Sequence, residues 1–518
     1  MKAEIQEISV NEKYQDFNMT SEVQEFYRDK SVFLTGGSGF LGKVFIEKIL
    51  RATDVKRIYI LIRPKKELTV EDRIEAMFKN PLFADLNQMK PTARQRVIPI
   101  LGDCQLANMG ISPEDRQTLI DEVQIVMHSA ATVRFNEPLY NALAINVRAT
   151  MDLMKLAKKM YKLQAFVHVS SAFANCTVFH MDEVYYTNEL NITAENMCKI
   201  AELLGPEKTN RMTNEWCGKS PNTYTFTKAL AEEAVLSQGK DLPICVFRPG
   251  IVIPTAKEPL VGWVDNLYGP MSILYGVAHG ILRVLYVHLD TNANFVPVDM
   301  CANLMLVSAW NTAKTGGQVA PLEKPPIYNF VPDERNMLKW DTYRRTLEEH
   351  APKMPLTKMI WYPFAIIVNS KLLYNILILF YHIIPGYIFD FLLLLMGKKR
   401  RMVKTYRKIH KQTAVLDYFV EHKFTFTMEN TLKLWHSLSG ADQSLFNFNM
   451  LAINWPEYFY NSLLGLRCYM GREQPETIPK AKQLWSRLLI LHRTVQLLVY
   501  GGVSALLSWT FLRAFQVL

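Results

Sequence analysis

The octapeptide Thr35-Gly36-Gly37-Ser38-Gly39-Phe40-Leu41-Gly42 follows directly on the apolar run Ser31-Val32-Phe33-Leu34. The amphipathic stretch Lys43-Val44-Phe45-Ile46-Glu47-Lys48-Ile49-Leu50 comes next. A strand, a glycine turn and a helix in that order aim backbone N–H groups and a helix N-terminus at one point, where a pyrophosphate is held. Gly36 permits the tight turn, Gly39 lets a ligand approach the backbone, and Gly42 lets the helix pack closely on the strand. The spacing G-x-x-G-x-x-G departs from the commoner G-x-G-x-x-G. A purely structural glycine turn is the alternative, and the flanking strand and helix favour the phosphate reading.

From about residue 31 to 250, apolar runs alternate with helical patterns. That pattern predicts an α/β fold, a doubly wound parallel sheet of Rossmann type with helices on both faces. Strands are expected at 31–35, 57–62, 96–101, 124–128, 165–169 and 243–247, and helices at 41–52, 69–79, 138–160 and 222–237. Short strands are expected at 294–297 and 327–330. Beyond about 340 the βα alternation stops, and helix formers and aromatics take over. The expected organisation is a lead-in over 1–30, a nucleotide-binding domain over 31–335, and a mainly helical C-terminal domain over 340–518.

Two apolar segments in the C-terminal part, 372–396 and 494–512, point to membrane association, as does a hydrophobic fraction of 49% in 518 residues. Pro385-Gly386 divides the first segment, and Asn375, His382 and Asp390 are costly in lipid. The expectation is a broken or hairpin element dipping into one leaflet. Lys398 to Lys408 supplies seven basic residues directly after it, better placed for anionic lipid than for nucleic acid. The second segment lies between Arg493 and Arg513 and suits a tail anchor. A packed core helix is the alternative for it. The N-terminus lacks an apolar leader pattern, and seven widely spaced cysteines without C-x-x-C indicate neither a disulfide framework nor a zinc site. A catalytic part facing the cytosol is expected.

Tyr224-Thr225-Phe226-Thr227-Lys228 opens a predicted helix, so Tyr224 and Lys228 lie one turn apart. An ammonium beside a phenol is expected to lower the phenol's pKa and make it a usable general acid. Ser170-Ser171 ends the strand before it. One hydroxyl there is expected to hold a substrate carbonyl oxygen, with Ser171 favoured and the other serine bonding locally. Cys176 has no activating base beside it, and its expected role is a buried thiol.

These features resemble the extended short-chain dehydrogenase/reductase superfamily and, more closely, the fatty acyl-coenzyme A reductase family. The likeness rests on Val32 to Lys43, Leu61-Ile62-Arg63-Pro64-Lys65, Leu101-Gly102-Asp103 and His128-Ser129-Ala130-Ala131-Thr132-Val133-Arg134-Phe135. It continues through His168-Val169-Ser170-Ser171-Ala172, Tyr224 to Lys228, and Phe247-Arg248-Pro249-Gly250-Ile251-Val252. The resemblance implies a catalytic set of Ser171, Tyr224 and Lys228, with no metal. It implies cofactor contacts at Gly36, Gly39, Phe40, Leu41, Gly42, Arg63, Asp103, Ala130, Ala131, Tyr224, Lys228 and Pro249.

Within that family a nicotinamide cofactor is expected, and the residues choose which one. An acid at the end of the second strand would bind ribose hydroxyls. Arg63 stands there instead, with Lys65 and Lys66 just after and Arg73 as a weaker second candidate, which favours NADPH. Asp103 is expected near the adenine, and the small Ala130-Ala131 lets a cofactor pass. The resemblance implies reduction of a long-chain acyl-CoA to a primary alcohol through an aldehyde, on an endoplasmic reticulum or peroxisomal membrane. Self-association is left open. An extended reductase for sterols or nucleotide sugars, and a non-catalytic lipid-binding protein, are the alternatives.

Overall fold

The computed structural model describes residues 21–64, 68–316 and 324–517, so Lys65 and Lys66 lie outside the described residues. One sheet is built from seven strands: β1 (Ser31–Thr35), β2 (Arg57–Ile62), β3 (Val97–Leu101), β4 (Ile125–His128), β5 (Ala165–Val169), β6 (Ile244–Pro249) and β7 (Ile327–Phe330). Every pairing is parallel, in the order β7-β6-β5-β4-β1-β2-β3. Successive strands run one way from β1 to β3 and the other way from β4 onward. A topological switch point therefore opens between the C-terminal ends of β1 and β4, where open α/β sheets bind ligands.

The inner strands are buried on both faces, which is why they stand in the sequence as unbroken apolar runs. Phe33, Tyr59, Val126, Phe166 and Val246 share one face by strand alternation. They form a single core with residues of α2 (139–157), α3 (Ala194–Arg211) and α4 (Thr223–Gln238). On the other face lie α1 (Phe40–Ala52) and α5 (Val298–Gly316), which pack together. The six expected strands of the sheet are present, each bound within two residues of the expectation. β7, expected only as a short strand, completes the sheet beside β6. The doubly wound fold expected from the sequence is the fold observed.

Two compact units divide the described chain. The sheet unit takes residues up to Val261 together with Asn294–Leu338 and Lys423–Ile453. The second unit takes Gly262–Ala293, Lys339–His422 and the chain from Asn454 onward. The change of composition near residue 340 thus marks one of several passages between units.

The second unit is mainly helical. It contains α6 (Lys371–Leu395), α7 (Met402–Ala414) and α8 (Ile478–Val517), with a short parallel pair of Val284–Tyr286 and Ile366–Val368. Both α6 and the Pro475–Arg513 stretch are long and apolar enough to cross a membrane. The break expected at Pro385-Gly386 is absent: α6 runs on through a π-helical turn at Leu379–Ile383. Pro385 has no N–H to give to the carbonyl one turn back, and the Tyr381 carbonyl instead accepts from the Arg283 guanidinium at 3.2 Å. His382 and Asp390, expected as a cost in lipid, point inward and are buried, whereas Asn375 is exposed.

Candidate active site

At the end of β1 the chain turns through Gly36 at φ 78°, in the left-handed region. A Cβ there would lie 2.7 Å from the Ser129 hydroxyl and 2.8 Å from the Ala130 nitrogen, so β1 and β4 approach as they do only because residue 36 is glycine. A Cβ on Gly42 would overlap the Gly36 carbonyl, which fixes α1 against the turn. Gly39 closes the turn by donating to that same carbonyl at 2.9 Å and is exposed; it offers no side chain to cap α1. α1 therefore begins at Phe40 and Leu41 directly after the turn, which sets its N-terminus at the end of β1. Ala130 and Ala131 sit half-buried beside it.

The next strand ends supply charge. Arg63 is exposed at the end of β2, and the guanidinium of Arg73 donates to the Arg63 carbonyl. Arg73, which the sequence left as a weaker candidate, is thereby held half-buried next to Arg63. Neither forms an ion pair among the described residues, which leaves two guanidiniums for a phosphate. Asp103 follows β3, where its carboxylate accepts the Gln105 N–H at 3.0 Å. A cradle of small residues and backbone donors, with paired cations beyond it, fits a phosphorylated dinucleotide.

Across the switch point stand the three expected catalytic residues. Asn222 caps α4 by accepting the Thr225 N–H at 2.9 Å, which sets the first turn and with it Tyr224. The Ser171 hydroxyl lies beside the Tyr224 phenol and acts on it. Phe135 stacks on the Tyr224 ring at 5.7 Å. Burial pushes the Tyr224 phenol up, and the neighbouring Ser171 hydroxyl pulls it back in part. The lowering expected from Lys228 is not what the structure gives, because the lysine is engaged elsewhere. Its Nζ donates to the Val169 carbonyl at 2.7 Å. Burial lowers Lys228 to about 8, with Glu232 acting against the fall.

Ser170, the other member of the serine pair, hydrogen-bonds Glu232. That carboxylate also takes both the Nε and Nη2 of Arg248, at 2.8 and 2.6 Å, and the Asn175 amide at 3.0 Å. The ion pair is almost wholly buried and joins α4 to β6 one helical turn beyond Lys228. Cys176 is buried and its thiol is pushed up to about 12, so it is no thiolate nucleophile. The Pro249 carbonyl accepts from Ala172 and ties the end of β6 to the serine turn.

A second network was not anticipated. His128 hydrogen-bonds Thr35 at 2.7 Å and Thr150 at 2.9 Å, and Thr150 donates to the Asn146 carbonyl. The Asn146 amide then bonds Thr227, next to Lys228, and the Thr132 carbonyl. The glycine turn, the end of β4 and the helix bearing Tyr224 are thus joined through buried side chains. Burial lowers His128 to about 3, so it is neutral in this network. The motif His128-Ser129-Ala130-Ala131 was visible, but its partners lie on two other elements, at Thr35 of β1 and Thr150 of α2.

A dinucleotide cradle facing a hydroxyl pair and an ammonium suits hydride exchange, and the class so defined is a nicotinamide-dependent oxidoreductase. The family described as male sterility protein matches residues 34–305 and, in its second part, 381–473. The fatty acyl-CoA reductase wat of Drosophila melanogaster is 44% identical over 96% of this chain and 95% of its own length. Fatty acyl-CoA reductase 2 of Mus musculus is 36% identical, covering 91% and 90%, and fatty acyl-CoA reductase 1 of Homo sapiens 34%, covering 90% and 89%. The chain belongs to the fatty acyl-CoA reductase family. Among solved structures, the reductase domain of a Mycobacterium tuberculosis nonribosomal peptide synthetase has a TM-score of 0.54 at 16% identity, covering 86% of this chain and 92% of that one. The terminal R domain of the myxalamid pathway has a TM-score of 0.52 at 18% identity, with the same coverage. These two share the fold.

Proposed function

We propose that the chain reduces long-chain fatty acyl-CoA to the primary alcohol with NADPH, by way of the aldehyde. The observation that carries the chemistry is the juxtaposition of Ser171 and Tyr224 at the switch point of a dinucleotide-binding sheet. The relatives' names support the substrate class. When bound, NADPH supplies the hydride. Tyr224 gives a proton to the thioester oxygen as negative charge develops there, and Ser171 holds the same oxygen. Lys228, charged at neutral pH and fixed to Val169, holds its positive charge beneath the site. The thiohemiacetal loses coenzyme A, and the same three residues then serve reduction of the aldehyde. Phe135 keeps the Tyr224 ring in place.

The glycine turn, Phe40 and Leu41 would hold the pyrophosphate, Ala130, Ala131 and Pro249 would leave room along the strand ends, and Asp103 would serve the adenine. Arg63 and Arg73 select the 2′-phosphate, so NADPH is favoured over NADH. The apolar helices support attachment to an intracellular membrane, endoplasmic reticulum or peroxisome, with the catalytic unit toward the cytosol. Purified protein given NADPH or NADH with acyl-CoAs of graded length tests the whole reading. Free thiol and alcohol must form together and with NADPH preferentially; nicotinamide oxidation without thiol release rejects it.

A further inference from the structure

α6 is amphipathic in the sense opposite to that of a helix at a protein–water boundary. His382, Gly386, Asp390 and Leu393 form its buried side. The polar members are satisfied within the protein. His382 accepts the Arg283 N–H at 2.9 Å and hydrogen-bonds His410 at 2.9 Å. The Asp390 carboxylate accepts the N–H groups of Arg401, Met402 and Val403 at 2.8, 2.8 and 3.1 Å, and so caps α7. The outer side holds Leu372, Phe380, Tyr387, Phe391 and Leu395, each more than half exposed. A continuous apolar face of this kind calls for a cover.

α7 lies against α6, with the Tyr406 ring packed at Gly386, where a Cβ would come within 3.1 Å of it. Residues 398–411 contain eight lysines and arginines, all exposed. None forms an ion pair among the described residues, and the only acid between 371 and 416 is Asp390, which is spent as the cap. The tail helix reaches the same level. Phe364 stacks on His492 at 4.8 Å, Tyr381 lies near Tyr500, and the hydrophobic residues of α8 between Val495 and Arg513 are exposed.

We propose that α6 and α7 form an in-plane dock for an anionic lipid surface. The outer side of α6 sinks into the headgroup–acyl boundary, and the cations of 398–411 meet the headgroups. The inward polar side argues against α6 crossing the bilayer alone. A nucleic acid would meet the cations and leave the apolar face wet, and a second copy would set like charges against each other. Apolar insertion combined with a basic cluster is the pairing that makes interfacial attachment stable. The dock rests on the membrane part of the proposed function and is independent of its chemistry.

The test uses the full chain with its tail disabled by Val503→Asp and Leu507→Asp, floated with vesicles of phosphatidylcholine alone or with about 30 mol% phosphatidylserine. Binding to the anionic vesicles is expected to be at least about tenfold stronger and to fall in high salt. Replacing Lys399, Arg400, Lys404 and Lys408 by Gln removes that preference, at roughly fivefold per charge. Phe391→Asp with Leu395→Asp removes binding to both vesicles. Equal binding to neutral and anionic vesicles, or a preference that survives the Gln set, overturns the dock. So does a protein that ignores vesicles and dimerises through α6 by light scattering. Turnover of detergent-dispersed acyl-CoA, measured on the same samples, is expected to be unchanged by the Gln set. Absent turnover with the vesicle pattern intact would reject the chemistry and leave the dock standing.

Discussion

Lys228 donates to the carbonyl oxygen of Val169 at 2.7 Å, across the gap between α4 and the end of β5. The lysine therefore anchors the strand that carries Ser171, while Ser171 itself lies beside the Tyr224 phenol. The three residues are coupled through the strand end rather than by an ammonium–phenol contact.

Lys228 has its pKa lowered by burial to about 8. Between that value and the unfolded lysine's usual value near 10.4, the unfolded chain binds the extra proton, so folding stability rises with pH across this window. Below about pH 8 the buried charge is a standing cost. Lys228→Met is expected to raise the melting temperature at neutral pH and to flatten its dependence on alkaline pH, while turnover is lost. Thermal unfolding at a series of pH values measures this. In the same window, kcat/KM of the native protein is expected to fall as pH rises through about 8.

Removing the proton donor should damage chemistry and spare binding. Tyr224→Phe is expected to lower kcat by roughly 100- to 10,000-fold, and Ser171→Ala by about 100-fold or more, with KM for NADPH little changed. Steady-state kinetics with circular dichroism as a folding control gives both numbers. Ser170→Ala should cost stability instead, because its partner is the buried Glu232.

Glu232 and Arg248 form the most deeply buried ion pair near the site, at 2.6 Å. Glu232→Ala strands the guanidinium and is expected to destabilise the sheet unit by about 3–5 kcal/mol. Denaturant titration would show it. Glu232→Gln, which keeps hydrogen bonds to Ser170 and Arg248, should cost less.

In the proposed function, Arg63 and Arg73 are the residues that choose the cofactor. Their replacement by Ala, singly, is expected to raise KM for NADPH by roughly 10- to 100-fold, the worth of a charge-assisted hydrogen bond. KM for NADH should hardly move. The ratio of the two constants is the readout.

The sheet was legible because strands buried on both faces must be apolar throughout, as Val32-Phe33-Leu34 and Ile58 to Ile62 are. The glycine turn was legible because only Gly36 accepts its φ and only Gly42 accepts the carbonyl behind it. Tyr224, Lys228 and Ser171 were found by their spacing and by resemblance, yet the partner of Lys228 was not, since a backbone carbonyl has no sequence signature. Long-range polar contacts were equally hidden. The buried Lys48 of α1 pairs with Glu258 at 2.5 Å, and Ser21 bonds Asp442. No periodicity announces partners hundreds of residues apart. In α6, Pro385 predicted a break because the sequence cannot show Arg283 taking up the freed carbonyl.

The central claim is that Ser171, Tyr224 and Lys228 direct hydride from the cofactor to the carbonyl carbon of a thioester. Its most direct test is mass spectrometry of the product formed from palmitoyl-CoA and NADPH deuterated at the transferable position. The predicted product is hexadecanol carrying two deuterium atoms at C1, with free coenzyme A released and with both signals nearly abolished in Tyr224→Phe. Unlabelled carbinol carbon, or a Tyr224→Phe protein that yields the labelled alcohol at the native rate, would contradict it.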